Sequence, residues 1–102
     1  MSFISEFSDY DGDFVVPKGF VDNSWHNDVC PRIWNRSVDQ TIEVSVWQDY
    51  VDPRKREYAN QKRYTFDMEV NGETVMVFNA DEWKDIEPFI ESIRDTDIRW
   101  EF

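Results

Sequence analysis

The dipeptide Asn71-Gly72 constrains the fold of this chain more than any other feature, because it lies between two runs of strand-forming residues. Asn and Gly accept the positive φ angles that both central positions of a type I′ hairpin turn require. Residues 64–70 alternate apolar and polar side chains, and residues 73–78 follow the turn. The sequence therefore predicts an antiparallel hairpin with a two-residue loop. Its predicted cross-strand pairs are Val70 with Glu73, Met68 with Val75, and Phe66 with Val77.

A further strand is predicted before the hairpin. From Ile42 to Tyr50 the residues alternate with the period of two that is typical of a half-buried strand. The charged segment 52–61 is too long for a tight turn, and we expect it to protrude as a loop or as the twisted tip of a hairpin. Residues 41–79 are therefore predicted to form the antiparallel strands.

A helix is predicted after the hairpin. Asn79 and Glu82 have the spacing of a helix cap. Proline is tolerated in the first turn of a helix and disrupts its interior, so the helix is either kinked at Pro88 or preceded by a separate turn over 80–86; we favour the turn. The apolar stripe predicted to face the sheet consists of Trp83, Ile86, Ile90 and Ile93. A short final strand is predicted from the alternation of Ile98, Trp100 and Phe102.

Residues 1–40 show no continuous period, because prolines and glycines interrupt them. We expect this segment to be irregular, with its aromatic side chains packed on the sheet and one short helical turn over Phe3, Ile4 and Phe7. The patterns together predict a single α+β domain over residues 1–102. It consists of an irregular N-terminal segment (1–40), an antiparallel sheet of three to four strands (41–79), and a C-terminal helix packed on one face of the sheet (80–102).

The distribution of charge limits the partners that this chain can have. The 102 residues carry 22 Asp and Glu against 11 Lys and Arg, a formal net charge of −11. Five bases and one acid lie between Arg54 and Arg63, so the other 92 residues hold 21 acids and 6 bases, a net charge of −15. Nucleic acids and anionic membranes both require a cationic surface, so we expect neither as a direct partner. Without an apolar run of membrane-spanning length or a signal-peptide pattern, the sequence predicts a cytoplasmic protein.

One pattern is similar to a calcium loop. Asp9, Asp11 and Asp13 alternate along the chain, as carboxylates do when they converge on a cation. An EF-hand loop also requires Gly at position 6 and Glu at position 12, where this chain has Phe14 and Phe20. The segment is therefore predicted to be a solvated turn.

A second pattern pairs His26 with Cys30, four residues apart. A metal site or a nucleophile–base pair needs further ligands or an orienting group, and Pro31 interrupts a helix that would align the two. We expect a structural turn here, with Trp25 and Cys30 buried. No catalytic residue, metal site or cofactor is predicted.

Three segments resemble small bacterial and phage-borne proteins of unassigned chemistry. The segments are residues 24–31 (SWHNDVCP), residues 46–53 (VWQDYVDP), and Arg56-Glu57 with Arg63-Tyr64. In size, acidity and lack of catalytic motifs, the chain is also similar to phage-encoded inhibitors of bacterial defence systems, the anti-CRISPR proteins among them. This second resemblance implies a protein that occupies a site on a nucleic-acid-handling complex by contacts alone, and it transfers no functional residue.

The leading functional hypothesis is a non-enzymatic inhibitor whose carboxylates stand in for phosphates and meet a basic surface on a protein or ribonucleoprotein complex. An exposed aromatic side chain is expected to anchor the contact. The alternatives are an immunity or accessory protein that binds one bacterial protein without mimicking nucleic acid, and acidity that serves solubility alone. The predicted contact residues are Asp67, Glu69, Glu73, Asp81, Glu82, Asp85, Glu87 and Glu91, with Trp47 or Tyr50 as the aromatic anchor.

Overall fold

A computed structural model describes residues 7, 9–25, 30–56 and 61–102, and it contains one five-stranded antiparallel sheet. In the described part of the chain the strands lie side by side in sequence order and an α-helix follows them, so the predicted α+β class is confirmed. The predicted number of strands, three to four, is wrong. The strands are β1 (Val21–Asp22), β2 (Arg32–Arg36), β3 (Ile42–Gln48), β4 (Tyr64–Val70) and β5 (Glu73–Ala80). The helix is α1 (Glu87–Arg94), and 3₁₀ turns span Pro53–Lys55 and Trp83–Asp85.

The extra strands lie in the segment that was expected to be irregular. β1 and β2 pair with each other, and β2 also pairs with β3. β2 buries Ile33 and Asn35 and leaves its other three residues half-buried. Because one of its two buried residues is polar, β2 lacks the apolar alternation that marks a strand in sequence.

The hairpin turn has the predicted geometry. Asn71 has a φ of 53° and Gly72 a φ of 82°, as a type I′ turn requires. The observed pairs are Val70 with Glu73, Glu69 with Thr74, Met68 with Met76, and Phe66 with Phe78. The predicted partners of Met68 and Phe66 are therefore wrong by one residue, because the register shifts between Met68 and Glu69 and leaves Val75 as the extra residue of a β-bulge.

The core lies between α1 and one face of the sheet, which we call the inner face; the opposite face is the outer face. Ile86, Ile90 and Ile93 are buried on the inner face, and Trp83 packs beside them, so the predicted stripe is confirmed. The ring centroids of Phe89 and Phe78 lie 4.5 Å apart. The sheet contributes Ile33, Val44, Val46, Tyr64, Phe66 and Ala80 to the core.

The junction between β5 and α1 follows the preferred alternative in one respect and departs from it in another. A separate 3₁₀ turn precedes α1, and Pro88 lies in the first turn of the helix, as predicted. The predicted cap at Asn79 is wrong, since Asn79 belongs to β5 and its side-chain oxygen accepts a hydrogen bond from Thr65 at 2.8 Å. The bulge extends β5 in register with β4 as far as Ala80, so the helix begins later than the cap pattern indicated.

The N-terminal segment is attached to the sheet by a buried amide. Gln48 is fully buried, and its side chain accepts a hydrogen bond from the Val15 backbone N–H at 2.8 Å and donates one to the Val15 carbonyl at 2.6 Å. Phe7 and Phe20 are buried, as expected for aromatic side chains packed on the sheet. The expected helical turn at residues 3–7 lies largely outside the described residues.

The C-terminal residues form a single bridge instead of the predicted final strand. Trp100 bridges Ser37, and the Glu101 N–H donates to the Arg36 carbonyl at 2.8 Å. The buried Asn35 side chain accepts a hydrogen bond from the Phe102 N–H at 3.3 Å. The tail therefore lies along the same edge of β2 as β1 does.

Candidate interaction surfaces

The predicted contact carboxylates do not share one surface. Asp67 and Glu69 alternate along β4 with the core-facing Phe66 and therefore lie on the outer face. Glu87 and Glu91 belong to α1, which packs on the inner face. The two sets are thus separated by the thickness of the sheet, and no single flat partner surface contacts both.

On the outer face, Asp67 is part of a compact cluster with Trp47 and Arg32. The indole Nε1 of Trp47 donates to the Asp67 carboxylate at 3.0 Å, and the Arg32 guanidinium lies 4.9 Å from the centre of a Trp47 ring. Burial raises the pKa of Asp67, the bond from Trp47 lowers it, and the nearby charge of Glu69 raises it, with a net upward shift. Trp47 is thus a half-buried structural partner of Asp67.

A second carboxylate pair lies on the same face. Glu69 of β4 stands directly opposite Glu43 of β3 in the register of the sheet. Like charges at directly opposed positions destabilise a sheet. The Arg36 guanidinium is engaged elsewhere, with Glu101 at 3.0 Å. The outer face therefore concentrates negative charge beside β4, a feature that sequence analysis did not identify because Glu43 lies 26 positions from Glu69.

The inner-face side presents a shallow groove of about 160 Å³ beside α1. Glu87 and Glu91 line it one helical turn apart, and both are exposed. The half-buried Trp83 lines the same groove, with its ring centroid 5.5 Å from that of Tyr64. The groove also includes Arg94, whose guanidinium donates to the Lys18 carbonyl. Carboxylates and an aromatic side chain thus lie together here, although the sequence stripe assigned Trp83 to the core alone.

Two of the predicted contact carboxylates are already paired with cations. Asp81 lies 3.1 Å from the Lys62 ammonium and 3.9 Å from the Arg56 guanidinium. The bond from Lys62 lowers the pKa of Asp81. Glu82 lies 3.0 Å from the Lys84 ammonium. These two residues are therefore less available to a partner than Asp85, Glu87 and Glu91, which have no ion pair among the described residues.

Tyr50 does not serve as an exposed anchor, so that part of the prediction is wrong. Its relative exposure is 7%, and its hydroxyl donates to the Asp9 carboxylate at 2.8 Å. Burial, followed by this bond, raises the pKa of Tyr50. The period-two pattern itself placed Tyr50 in one series with the buried Val44 and Val46, so the alternation already indicated burial.

Two arginines of the basic segment 54–63 are held by hydrogen bonds within the chain. The Arg56 guanidinium donates to the carbonyls of Tyr50 and Gln61 at 2.7 Å each and to that of Val51 at 3.1 Å. The Arg63 guanidinium donates to the carbonyls of Asp49 and Asp13 and to the Tyr10 hydroxyl. Burial raises the pKa of Tyr10 to about 12. Arg56 and Arg63 thus fix loops in place, whereas Arg54, Lys55 and Lys62 are exposed.

The residues similar to a calcium loop brace the segment that follows β3. The Asp11 carboxylate accepts hydrogen bonds from the N–H groups of Val51 at 2.7 Å and Asp52 at 2.8 Å. Partial burial opposes ionisation, but these bonds outweigh it and lower the pKa of Asp11. The described residues contain no group of three or more His, Cys, Asp or Glu placed to hold a metal ion.

The pattern that pairs His26 with Cys30 lies only partly within the described residues. Cys30 is buried, as predicted, whereas Trp25 is 41% exposed, so its predicted burial is wrong. His26 lies outside the described residues.

The remaining predicted contact residue, Glu73, is exposed at the start of β5, beside the hairpin turn. It introduces a strand whose middle is apolar and open to solvent: Val75, Met76 and Val77 are 57%, 42% and 55% exposed. The sequence pattern did not indicate this exposed patch, because it placed Val75 and Val77 on the apolar face of the hairpin.

Comparison with protein-family models, with curated proteins and with solved structures found no match for this chain. Among the described residues, no helix has the length and apolar character needed to cross a membrane.

Proposed function

We propose that this chain is a non-enzymatic acidic binding protein that contacts a basic surface on a protein or ribonucleoprotein complex and thereby blocks that surface for nucleic acid. The groove beside α1 is the proposed contact. Glu87 and Glu91 supply two negative charges on one helix face, and Trp83 supplies an aromatic side chain that lines the same groove.

The observation that carries the proposal is the state of these two carboxylates. Both are exposed, and neither has a cation within ion-pair distance among the residues described, although the same chain neutralises Asp81 and Glu82 internally. Unpaired charge of one sign on a body of net charge −11 steers association with a cationic partner. Aromatic residues beside such charges are typical energetic centres of interfaces.

The test removes charge from the groove without changing side-chain shape. In the double variant Glu87→Gln/Glu91→Gln, the affinity for a partner captured from bacterial lysate and then purified is expected to fall about tenfold at low salt. The matched control, Asp13→Asn/Asp97→Asn, removes the same charge from two exposed positions outside the groove. It is expected to change affinity by less than about twofold. Equal affinities of the two double variants would contradict the proposal.

A competition experiment separates this function from the alternative. Duplex DNA or guide RNA is expected to displace the chain from the purified partner, because both occupy one basic surface. An immunity or accessory protein that binds a single bacterial protein elsewhere stays bound when nucleic acid is added. The exposed apolar residues of β5 favour this alternative, since an apolar contact does not imitate phosphate.

A further inference from the structure

The far edge of the sheet offers a second contact of a different kind. β5 is the last strand in the sheet order, and β4 is the only strand that pairs with it in the described part of the chain. In an antiparallel pair, every second residue directs its backbone N–H and C=O away from its neighbour. β5 therefore presents hydrogen-bonding groups that an added strand can use.

The side chains of β5 lack the protection that open edges usually carry. Between Thr74 and Asn79 there is no charged residue and no proline, although both are common devices against strand addition. Val75 and Val77 are more than half exposed. The bulge at Val75 twists only the first half of the strand, so residues from Met76 onward keep a regular register with β4.

The charges around this edge determine which partner fits it. Glu73 begins β5, and Asp81 and Glu82 follow its end. Asp81 and Glu82 are paired with Lys62 and Lys84, whereas Glu73 has no ion pair among the described residues. A second copy carries the same net charge of −11 and is therefore repelled, whereas a basic segment is attracted to Glu73 and to the carboxylates of the outer face.

The two faces of an added strand meet different surroundings. Met76 and Phe78 belong to the inner face, so partner side chains beside them contact apolar surface. Val77 is paired with Asp67 on the outer face, where Glu69 also lies. The added strand is two strand spacings from β4, about 10 Å, a distance that the long side chains of Lys and Arg bridge to a carboxylate. Glu69 stands opposite Glu43 on this face, so a cation placed here relieves the repulsion between the two carboxylates.

We infer that β5 binds, by strand addition, an extended segment of the basic partner in which Lys or Arg alternates with aliphatic residues. This inference rests on the proposed function, since it assumes a cationic protein partner. The alternation matches the outer face with cations and the inner face with apolar side chains, and the backbone ladder supplies hydrogen bonds independent of sequence.

The probe is a synthetic heptapeptide of alternating Lys and Val, capped at both ends. It is compared with a block peptide of four Lys followed by three Val, which has the same composition and charge but no alternation. By titration calorimetry at low salt, the alternating peptide is expected to bind about tenfold more tightly. In the complex with the alternating peptide, the backbone amides of β5 are expected to exchange hydrogen more slowly than in the free protein.

Two protein variants locate the contact. Val77→Lys places a cation at the centre of the edge strand and is expected to lower the affinity for the alternating peptide about tenfold. Val38→Lys is the matched control, because Val38 is also 55% exposed and lies in the turn between β2 and β3. It is expected to change affinity by less than about twofold. Circular dichroism verifies that both variants are folded.

Equal binding of the two peptides, equal effects of the two lysine variants, or unchanged exchange of the β5 amides would each overturn the inference. The purified partner separates this failure from failure of the proposed function. If Glu87→Gln/Glu91→Gln lowers the affinity for the partner and Val77→Lys does not, the proposed function stands and strand addition is wrong. If neither variant lowers the affinity for the partner, both proposals are wrong.

Discussion

At the scale of single residues, similar side chains in this chain serve opposite purposes. Arg54 and Arg56 lie two positions apart and have the same charge, but their side chains are 91% and 7% exposed. Arg54 pairs with Asp52 at the surface, whereas Arg56 satisfies three backbone carbonyls of the loop that begins after β3. In the sequence both arginines belong to one positive segment, and the burial of an arginine has no signal in local composition.

Replacing Arg56 by Ala is expected to destabilise the fold by about 2–4 kcal/mol, because three carbonyls lose their donor. Arg54→Ala is the matched control, and its exposed ion pair contributes little, so it is expected to leave the unfolding free energy nearly unchanged. Urea unfolding followed by tryptophan fluorescence measures both. Similar midpoints for the two variants would contradict the assigned role of Arg56.

At the scale of elements, the hairpin determines the arrangement of the sheet. The turn brings β4 and β5 into register at Val70 and Glu73, and the bulge then directs Phe78 instead of Val77 toward Phe89. The aromatic ring fills space next to the helix that a valine side chain is too small to fill.

Asn71 is expected to matter through its backbone conformation. Replacing it by Ala places a β-carbon at a φ of 53° without a side chain that stabilises this region, at a cost of about 1 kcal/mol. Asn71→Gly accepts the same φ and is expected to change stability by less than about 0.5 kcal/mol. Thermal unfolding of the two variants measures the difference. A loss in Asn71→Gly as large as that in Asn71→Ala would show that the side chain, and not φ, is required.

The sequence predicted those elements whose signal is local. Asn71-Gly72 predicted the turn, Pro88 predicted the start of α1, and the isoleucine spacing predicted its buried face. The bulge left no signal, because residues 75–78 are all apolar and either register buries an apolar side chain. β2 was missed because its inward Asn35 binds the distant Phe102 N–H, a partner that local patterns do not reveal. The carboxylates lie on two faces because Asp67 and Glu69 alternate with Phe66 along β4, whereas Glu87 and Glu91 belong to the helix that covers the inner face.

At the scale of the whole molecule, electrostatic repulsion opposes folding. A net charge of −11 on 102 residues grows as pH rises above the isoelectric point near 4.3. The pKa of Asp67 is raised in the folded state, so between 3.8 and that raised value the folded state binds more protons than the unfolded state. Stability therefore falls as pH rises through this window. The repulsion among carboxylates and the titration of Asp67 thus both lower the stability as pH rises.

Other carboxylates oppose this trend at lower pH. Bonds from Arg54 lower the pKa of Asp52 to about 2, and the pKa values of Asp11 and Asp81 are also lowered. A depressed pKa contributes stability that is present above 3.8 and is lost as pH falls through the folded value. Acidification below about 3.8 is thus expected to destabilise the fold.

The two trends together predict a maximum of stability near pH 5 at low salt. The melting temperature at about pH 5 is expected to exceed that at about pH 7.5 by about 4–8 °C in about 0.02 M NaCl, a difference of about 1 kcal/mol for a domain of this size. In about 0.5 M NaCl, screening is expected to reduce the difference by about half or more. Asp67→Asn keeps an acceptor for Trp47 and is expected to reduce the low-salt difference, whereas Asp97→Asn, at an exposed position, reduces it less. Calorimetric melting temperatures that rise steadily to pH 7.5 would show that internal ion pairs, and not repulsion among carboxylates, govern the stability of this molecule.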